Sequence, residues 1–315
     1  MINNYVNKLI ENIPLKINKN NKPLEIDLVL DGGLFNGSYL IGSLYFLREM
    51  EKQNYIKIKR ISGCSIGSLI GLLYLINKLE LFEELYNLFL NSFKISHDFN
   101  KLLILHNYLL PHLPSNIDLL VNNKFYVTFY DMKHNKKIIK NKYTNLNNNN
   151  TNTGENVINC IIKSCFIPFL IDNNMLYKSR YIDGINPYLF NKIPNRKILF
   201  LDLFGVDKIF CTINVKNENN NIHRILCGLL DVHNFFIKQS QTSMCSFVDE
   251  WNIYNKLRYS FKKQIELLFM YFIRILIQIK LYFKFSHNLH NNIFYQIYMA
   301  IIKDIYIILL QKYCI

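Results

Sequence analysis

A serine, an aspartate and a small set of glycines stand at spacings suited to acyl transfer. In "ISGCSIGSLIGLL", Gly63, Ser65 and Gly67 form a Gly-x-Ser-x-Gly between a strand-like run and an apolar helical pattern. A serine in a sharp strand-to-helix turn is crowded by its neighbours, and small residues two before and two after let the backbone close. Such a turn would leave Ser65 exposed at a helix N-terminus, where unpaired amides and the helix dipole favour negative charge. The same three residues could also serve as a buried contact between small side chains.

Acyl transfer needs hydrogen-bond donors for an oxyanion and a base for the nucleophile. Upstream, "EIDLVLDGGLFNGSYLIG" places Gly32, Gly33 and Gly37, three of only 11 glycines, between a strand and a helix. A phosphate-binding loop would require Gly-Lys-Ser/Thr, whereas Gly37 is followed by Ser38; the Gly-x-Gly-x-x-Gly of a dinucleotide turn is not met either. The remaining reading is an oxyanion loop. If the two strands are parallel neighbours, the amides of Gly33 and Leu34 would face Ser65. The best base is Asp183 in "YIDGIN", where Gly184 lets the backbone approach closely, although Asp-Gly by itself is chiefly a turn signal.

The elements that must position these residues follow from periodicity. Residues 1–23 read as a short helix and a polar linker. "LEIDLVL", "GSYLIGSLYFLREMEK", "IKIKRISG" and "SIGSLIGLLYLINKL" give a β-α-β-α order and a parallel sheet. Helices continue to about residue 120, and "KFYVTFYDMKHNKKIIKNK" reads as a hairpin. The Asn-rich stretch 145–156 cannot pack a core and is expected to be a mobile loop. A helix "VINCIIKSCF" stopped by Pro168 follows, then a short strand ending at Asp183. "KILFLDLF" and "DKIFCTINV" read as further strands, and 211–315 as mostly helical.

The order "DGGLFNGSYLIGSLYFL", "ISGCSIGSLIGLL", "CIIKSCFIPFL", "YIDGI" resembles the patatin-like phospholipase family over about residues 25–190. The resemblance implies a three-layer α/β fold over residues 24–210, with a mainly parallel central sheet flanked by helices, plus a helical C-terminal extension. It implies a lipid acyl hydrolase using a Ser-Asp dyad without histidine, cofactor or metal. By position, Ser65 would be the nucleophile and Asp183 the general base. Gly32, Gly33 and Leu34 would form the oxyanion loop, Gly37, Gly63, Gly67 and Gly184 would be the motif glycines, and Pro168 would shape the site. Three positions depart from the family's pattern: Leu34 replaces a third glycine, Asn36 a basic residue and Ile185 a glycine or alanine. Leu34 fits if its φ stays negative. An alternative is a catalytically silent relative that binds lipid or a protein partner.

The 315 residues are half hydrophobic and 19% charged, enough to bury a full core. Seven cysteines without a CxxC pair argue against a disulfide framework or a zinc site. The N-terminus lacks the uninterrupted apolar run of a secretory signal, so a cytoplasmic place is expected. His223, His233, His287 and His290 all follow Asp183, which leaves a Ser-Asp-His order formally available, though none has a turn-flanked setting. His97, His106, His112 and His134 fit no ligand pattern. The net charge of +14 attracts polyanions. No nucleic-acid reading motif accompanies it, and a phospholipid or neutral-lipid substrate fits better. Residues 251–315 hold nine Lys/Arg against Glu266 and Asp304. Within them "KKQIELLFMYFIRILIQIKLYFKF", 262–285, is apolar nearly all round, yet its charge-free run 267–273 is too short to span a bilayer. It reads as a buried helix, or as a basic interfacial helix in peripheral contact with a membrane.

Overall fold

The structure, a computed structural model, describes residues 2–11, 13, 22–96, 98–144, 153–168, 170–171, 174–209, 211–212 and 214–285, and beyond 285 only 297, 300, 301, 304 and 308. Along the chain come α1 (Ile2–Glu11), β1 (Leu24–Leu30), α2 (Gly37–Lys52), β2 (Ile56–Cys64), α3 (Ile66–Leu75), α4 (Leu81–Ser96), α5 (Leu105–Leu109), α6 (Ile117–Val121), β3 (Phe125–Asp131), β4 (Lys136–Lys140), α7 (Thr153–Cys165), β5 (Tyr181–Asp183), β6 (Arg196–Leu201), α8 (Val206–Ile209), α9 (Ile222–Lys238), β7 (Cys245–Phe247) and α10 (Ile253–Phe285).

The strands form one mixed sheet in the order β4-β3-β2-β1-β6-β7, with β5 pairing β3. The β1–β2, β1–β6 and β2–β3 pairs are parallel. Strand alternation sorts the side chains onto two faces. Leu28 and Leu30 of β1, Leu199 and Leu201 of β6, and Val127 and Phe129 of β3 enter the main core with α2, α3, α4, α7 and α9. Val29, Ile198 and Phe200 point the other way, onto Phe190 and Trp251. Tyr130 and Ile182 on that second face meet Met270 and Ile273 of α10. The result is a sheet with helices on one side and α10 with its approach segment on the other.

Two expectations change. The described residues of "DKIFCTINV" form no strand: the first of them belong to α8, and the third antiparallel pair is made by β7, paired with β6 through Leu199↔Phe247 to Leu201↔Cys245. A short apolar run does not distinguish a helix from a strand by period, and Asp207 with Gly205 favours the helical turn whose Lys208 and Ile209 amides bond Gly205 O. Of the Asn-rich stretch, 145–152 lie outside the described residues, and 153–156 already belong to α7, with Gly154 buried. "FYQIYMAIIKDIYIILLQ" also lies outside the described residues apart from its isolated positions.

Candidate active site

The strand register assembles the site. Leu30 of β1 pairs with Gly63 of β2 and with Leu201 of β6, so Asp31, Ser65 and Asp202 leave the same edge of the sheet. This is the carboxyl edge of the parallel strands, where open α/β sheets bind ligands. On the next pair, Cys64 faces Thr128 of β3. There β2 turns off into its helix and β5 continues the pairing, with Asp183 opposite Phe129. Asp183 therefore takes up the line of the sheet one residue beyond Cys64, beside the serine.

Ser65 has φ 50° and ψ −133°, a left-handed strain held by its neighbours. Its N–H donates to Ser164 Oγ of α7 at 2.9 Å, and that hydroxyl donates to Thr128 O at 2.6 Å. Gly63 and Gly67 close the turn: a Cβ on Gly63 would sit 2.6 Å from Gly67 O, and one on Gly67 2.4 Å from Asp31 O. Contrary to the expectation of exposure, Ser65 is only 6% exposed, because the glycine loop and the residues after α7 wall it in.

The Asp183 carboxylate lies near enough to the Ser65 hydroxyl for that side chain to favour its charged form. Burial raises its pKa to about 6, against the opposing pull of the Ser65 hydroxyl and of the Ile185 N–H, which donates at 3.0 Å. The Asp183 N–H is fixed on Phe166 O at 2.9 Å, and Cys64 Sγ donates to Ile185 O at 3.1 Å. Ile185 has φ 55°, so the residue in place of a small one sits in left-handed backbone.

The glycine loop lies against the serine, where a Cβ on Gly32 would be 3.0 Å from Ser65 Cβ. The Gly32 N–H donates to Asp31 Oδ1 at 2.9 Å and is thus committed. Among the described residues no acceptor is found for the Gly33 N–H, and Leu34 opens a 3-10 turn, Leu34–Asn36, whose first amides have no partner within it. The condition placed on Leu34 is not met: its φ is 47°, the left-handed region, and packing of its side chain on the core holds it there.

Two buried cations from distant helices anchor this loop. Lys262 of α10 donates to Asp31 Oδ1, while Asp31 Oδ2 accepts the Leu203 N–H at 3.0 Å. Burial pushes the Asp31 carboxyl up to about 6 against the pull of Lys262. Burial opposes charge on Lys262 too, but Asp31 and Asp202 outweigh it and hold that pKa above the ordinary value, so both groups are ionised at neutral pH. Arg224 of α9, fully buried, donates to Asn36 Oδ1 at 2.6 Å and to Glu218 Oε1 at 2.5 Å. One turn along α10 from Lys262, Glu266 accepts from Asn186 at 2.5 Å and from Lys137 at 2.7 Å. A single helix face thereby contacts both the loop before Gly32 and the turn after Asp183.

Ser65 opens onto a cleft lined by Leu34, Phe35, Ile66, Leu69, Phe82, Tyr86, Phe89, Phe99, Leu102, Cys165, Ile167 and Ile171. Apart from Ser65 only Tyr86 and Cys165 bring polar atoms, and the Tyr86 hydroxyl is bound to Glu218 at 2.7 Å. The cleft suits a hydrocarbon chain. Among the described residues no histidine shares the hydrogen bonds of Ser65 or Asp183. His223 meets Glu218 at 3.3 Å and His233 packs on Phe46. His97, His287 and His290 lie outside the described residues. No group of three or more His, Cys, Asp or Glu able to hold a metal occurs among the described residues.

The profile of the patatin-like phospholipase family matches residues 28–194, more than half of the chain, from the end of β1 to past Asp183. The chain belongs to the patatin-like phospholipase family. A search of curated proteins finds no match. Membership in this family of lipid acyl hydrolases accounts for a glycine loop, a serine elbow and an Asp-Gly strand end at one sheet edge. In this patatin-like chain the anchors Arg224 and Lys262 lie beyond the matched span, as does β6, the strand beside β1. Sequence reading missed Ser164, Asn186, Arg224, Lys262 and Glu266. Ser164 lies inside "CIIKSCFIPFL", and Glu266 stands out in the sequence only as one of two acidic residues in the basic stretch 251–315.

Proposed function

We propose that this protein is a serine lipid acyl hydrolase. Ser65 Oγ attacks the ester carbonyl while its proton passes to Asp183. The Gly33 and Leu34 N–H groups, with the α3 dipole behind Ser65, stabilise the tetrahedral oxyanion. Collapse breaks the bond to the alcohol, which takes the proton from Asp183 as it leaves. Asp183 then deprotonates a water that attacks the acyl-serine, and the second collapse returns the proton to Ser65 and frees the fatty acid. A carboxyl with a pKa near 6 is ionised at pH 7 and yet a stronger base than an ordinary aspartate.

The observation that carries this reading is that Ser65 and Asp183 come side by side at the carboxyl edge of the sheet, with Ser65 lining an apolar cleft. An acyl chain in that cleft and a phospholipid or neutral-lipid ester at its mouth define the substrate class. Purified protein is incubated with a fluorophosphonate and, separately, with mixed phospholipids and triacylglycerol. Covalent labelling and fatty-acid release are expected, and both are lost in Ser65→Ala. Full esterase activity in Ser65→Ala would refute the assignment.

A further inference from the structure

Helix α10 has one face already explained. Lys262, Glu266, Met270 and Ile273 point at the sheet and the catalytic loops and are buried. At 100° per residue the opposite side carries Tyr254, Leu257, Phe261, Leu268, Tyr271 and Phe272 within about 100° of arc. All six are exposed, Leu257 by 64% and Leu268 by 69%. Over positions 254–272 the stripe runs about 27 Å along the helix. Unlike a singly exposed leucine, a continuous apolar stripe of this length on a folded surface marks an interaction site.

The charges beside the stripe select its partner. Lys256 and Lys263, both exposed, follow one another along one flank, while the single acidic residue of α10, Glu266, is buried against Lys137 and Asn186. The exposed side of the helix is thus apolar in the middle, cationic on its flank and free of acidic groups among the described residues. A protein partner of the same chain would bring the same cations against these. Among the described residues no helix is long and apolar enough to cross a membrane, so this helix can lie on a bilayer rather than enter it.

We propose that the outer face of α10 seats the protein on an anionic lipid bilayer, with the aromatic and aliphatic stripe in the headgroup–acyl boundary and the lysines on lipid phosphates. Since the inner face of the same helix holds Asp31 through Lys262, the site edge then lies about one helix diameter, roughly 10 Å, above the lipid. This surface is independent of the hydrolase reading, because binding and ester cleavage are measured separately.

The test uses the full chain carrying Ser65→Ala, so that no lipid is consumed, and sedimentation with vesicles of pure phosphatidylcholine or of phosphatidylcholine with 30 mol% phosphatidylglycerol as a chosen composition, roughly that of a charged leaflet. Binding to the anionic vesicles is expected, at least about tenfold tighter than to the neutral ones. Lys256→Gln with Lys263→Gln should weaken it about 25-fold, at about fivefold per cation. Phe261→Ser with Leu268→Ser should weaken binding to both vesicles by at least about tenfold. In the Ser65 background both pairs should leave cleavage of a soluble short-chain ester within about twofold, since neither pair touches the site. Absence of vesicle binding, binding unchanged by both pairs, or a dimer in solution dissociated by Phe261→Ser with Leu268→Ser would each overturn the proposal. Vesicle binding without ester cleavage by the Ser65 protein would instead count against the hydrolase reading alone.

Discussion

Replacing Lys262 by Met isolates the charge on which the glycine loop rests. The Lys262 and Asp31 side chains are 7% and 0% exposed, so the substitution leaves a carboxylate in the interior with only the Gly32 and Leu203 amides to solvate it. Breaking one half of such a pair costs about 3–5 kcal/mol. The chain can escape part of this by protonating Asp31, whose pKa burial already raises from 3.8 to about 6 with the ammonium present and which rises further without it. The native state then holds a proton that the unfolded chain releases, so stability falls as pH rises from about 4 to the folded pKa. Wild type and Lys262→Met should run parallel between pH 4 and 6, where both pay for the raised pKa, and diverge above pH 6 by up to about 1.4 kcal/mol per unit. Urea unfolding followed by the fluorescence of Trp251, the single tryptophan, measures this directly. Its ring lies 5.4 Å from that of Tyr259, beside the same turn of α10. Asp31→Asn combined with Lys262→Met should abolish the divergence. An equal deficit at pH 6 and pH 8, or none at either, would refute the reasoning.

On the proposed mechanism hydrolysis of a soluble ester should rise with pH along a single acid limb with its midpoint near pH 6, because Asp183 would have to be ionised to take the serine proton; kcat/KM against pH measures it. Ser164→Ala removes the acceptor of the Ser65 N–H and a donor to Thr128 O, and should cost about 1–3 kcal/mol in urea unfolding and lower kcat more than it changes KM. Gly67→Ala drives a methyl against Asp31 O, so a loss of about 3 kcal/mol or more in thermal unfolding is expected.

What the sequence makes legible is local. The strand–glycine–helix at Gly32, the elbow at Ser65 and the strand end at Asp183 each carry their own signature within a dozen residues, and parallel pairing of β1 with β2 follows from the β-α-β order. What it conceals is tertiary. Lys262 meets Asp31 across 231 positions and Arg224 meets Asn36 across 188, and nothing near either residue announces the partner. Arg224 also bears on the departure at Asn36: a cation reaches this point of the loop from α9 instead of from the loop itself. The positive φ of Leu34 was hidden for a similar reason, since propensity disfavours it and only packing enforces it. The error at "DKIFCTINV" is one of period, because four helical residues are too few to display one.

The anchoring of the loop by α10 also sets the order in which a newly made chain completes this edge of its sheet. During synthesis the serine and the aspartate leave the ribosome long before the lysine that neutralises Asp31, and β1 has no neighbour on its β6 side until residue 201 has emerged. A nascent polypeptide therefore carries Ser65 and Asp183 before its glycine loop is anchored, and this edge of the sheet is complete only when translation has passed Lys262 of α10.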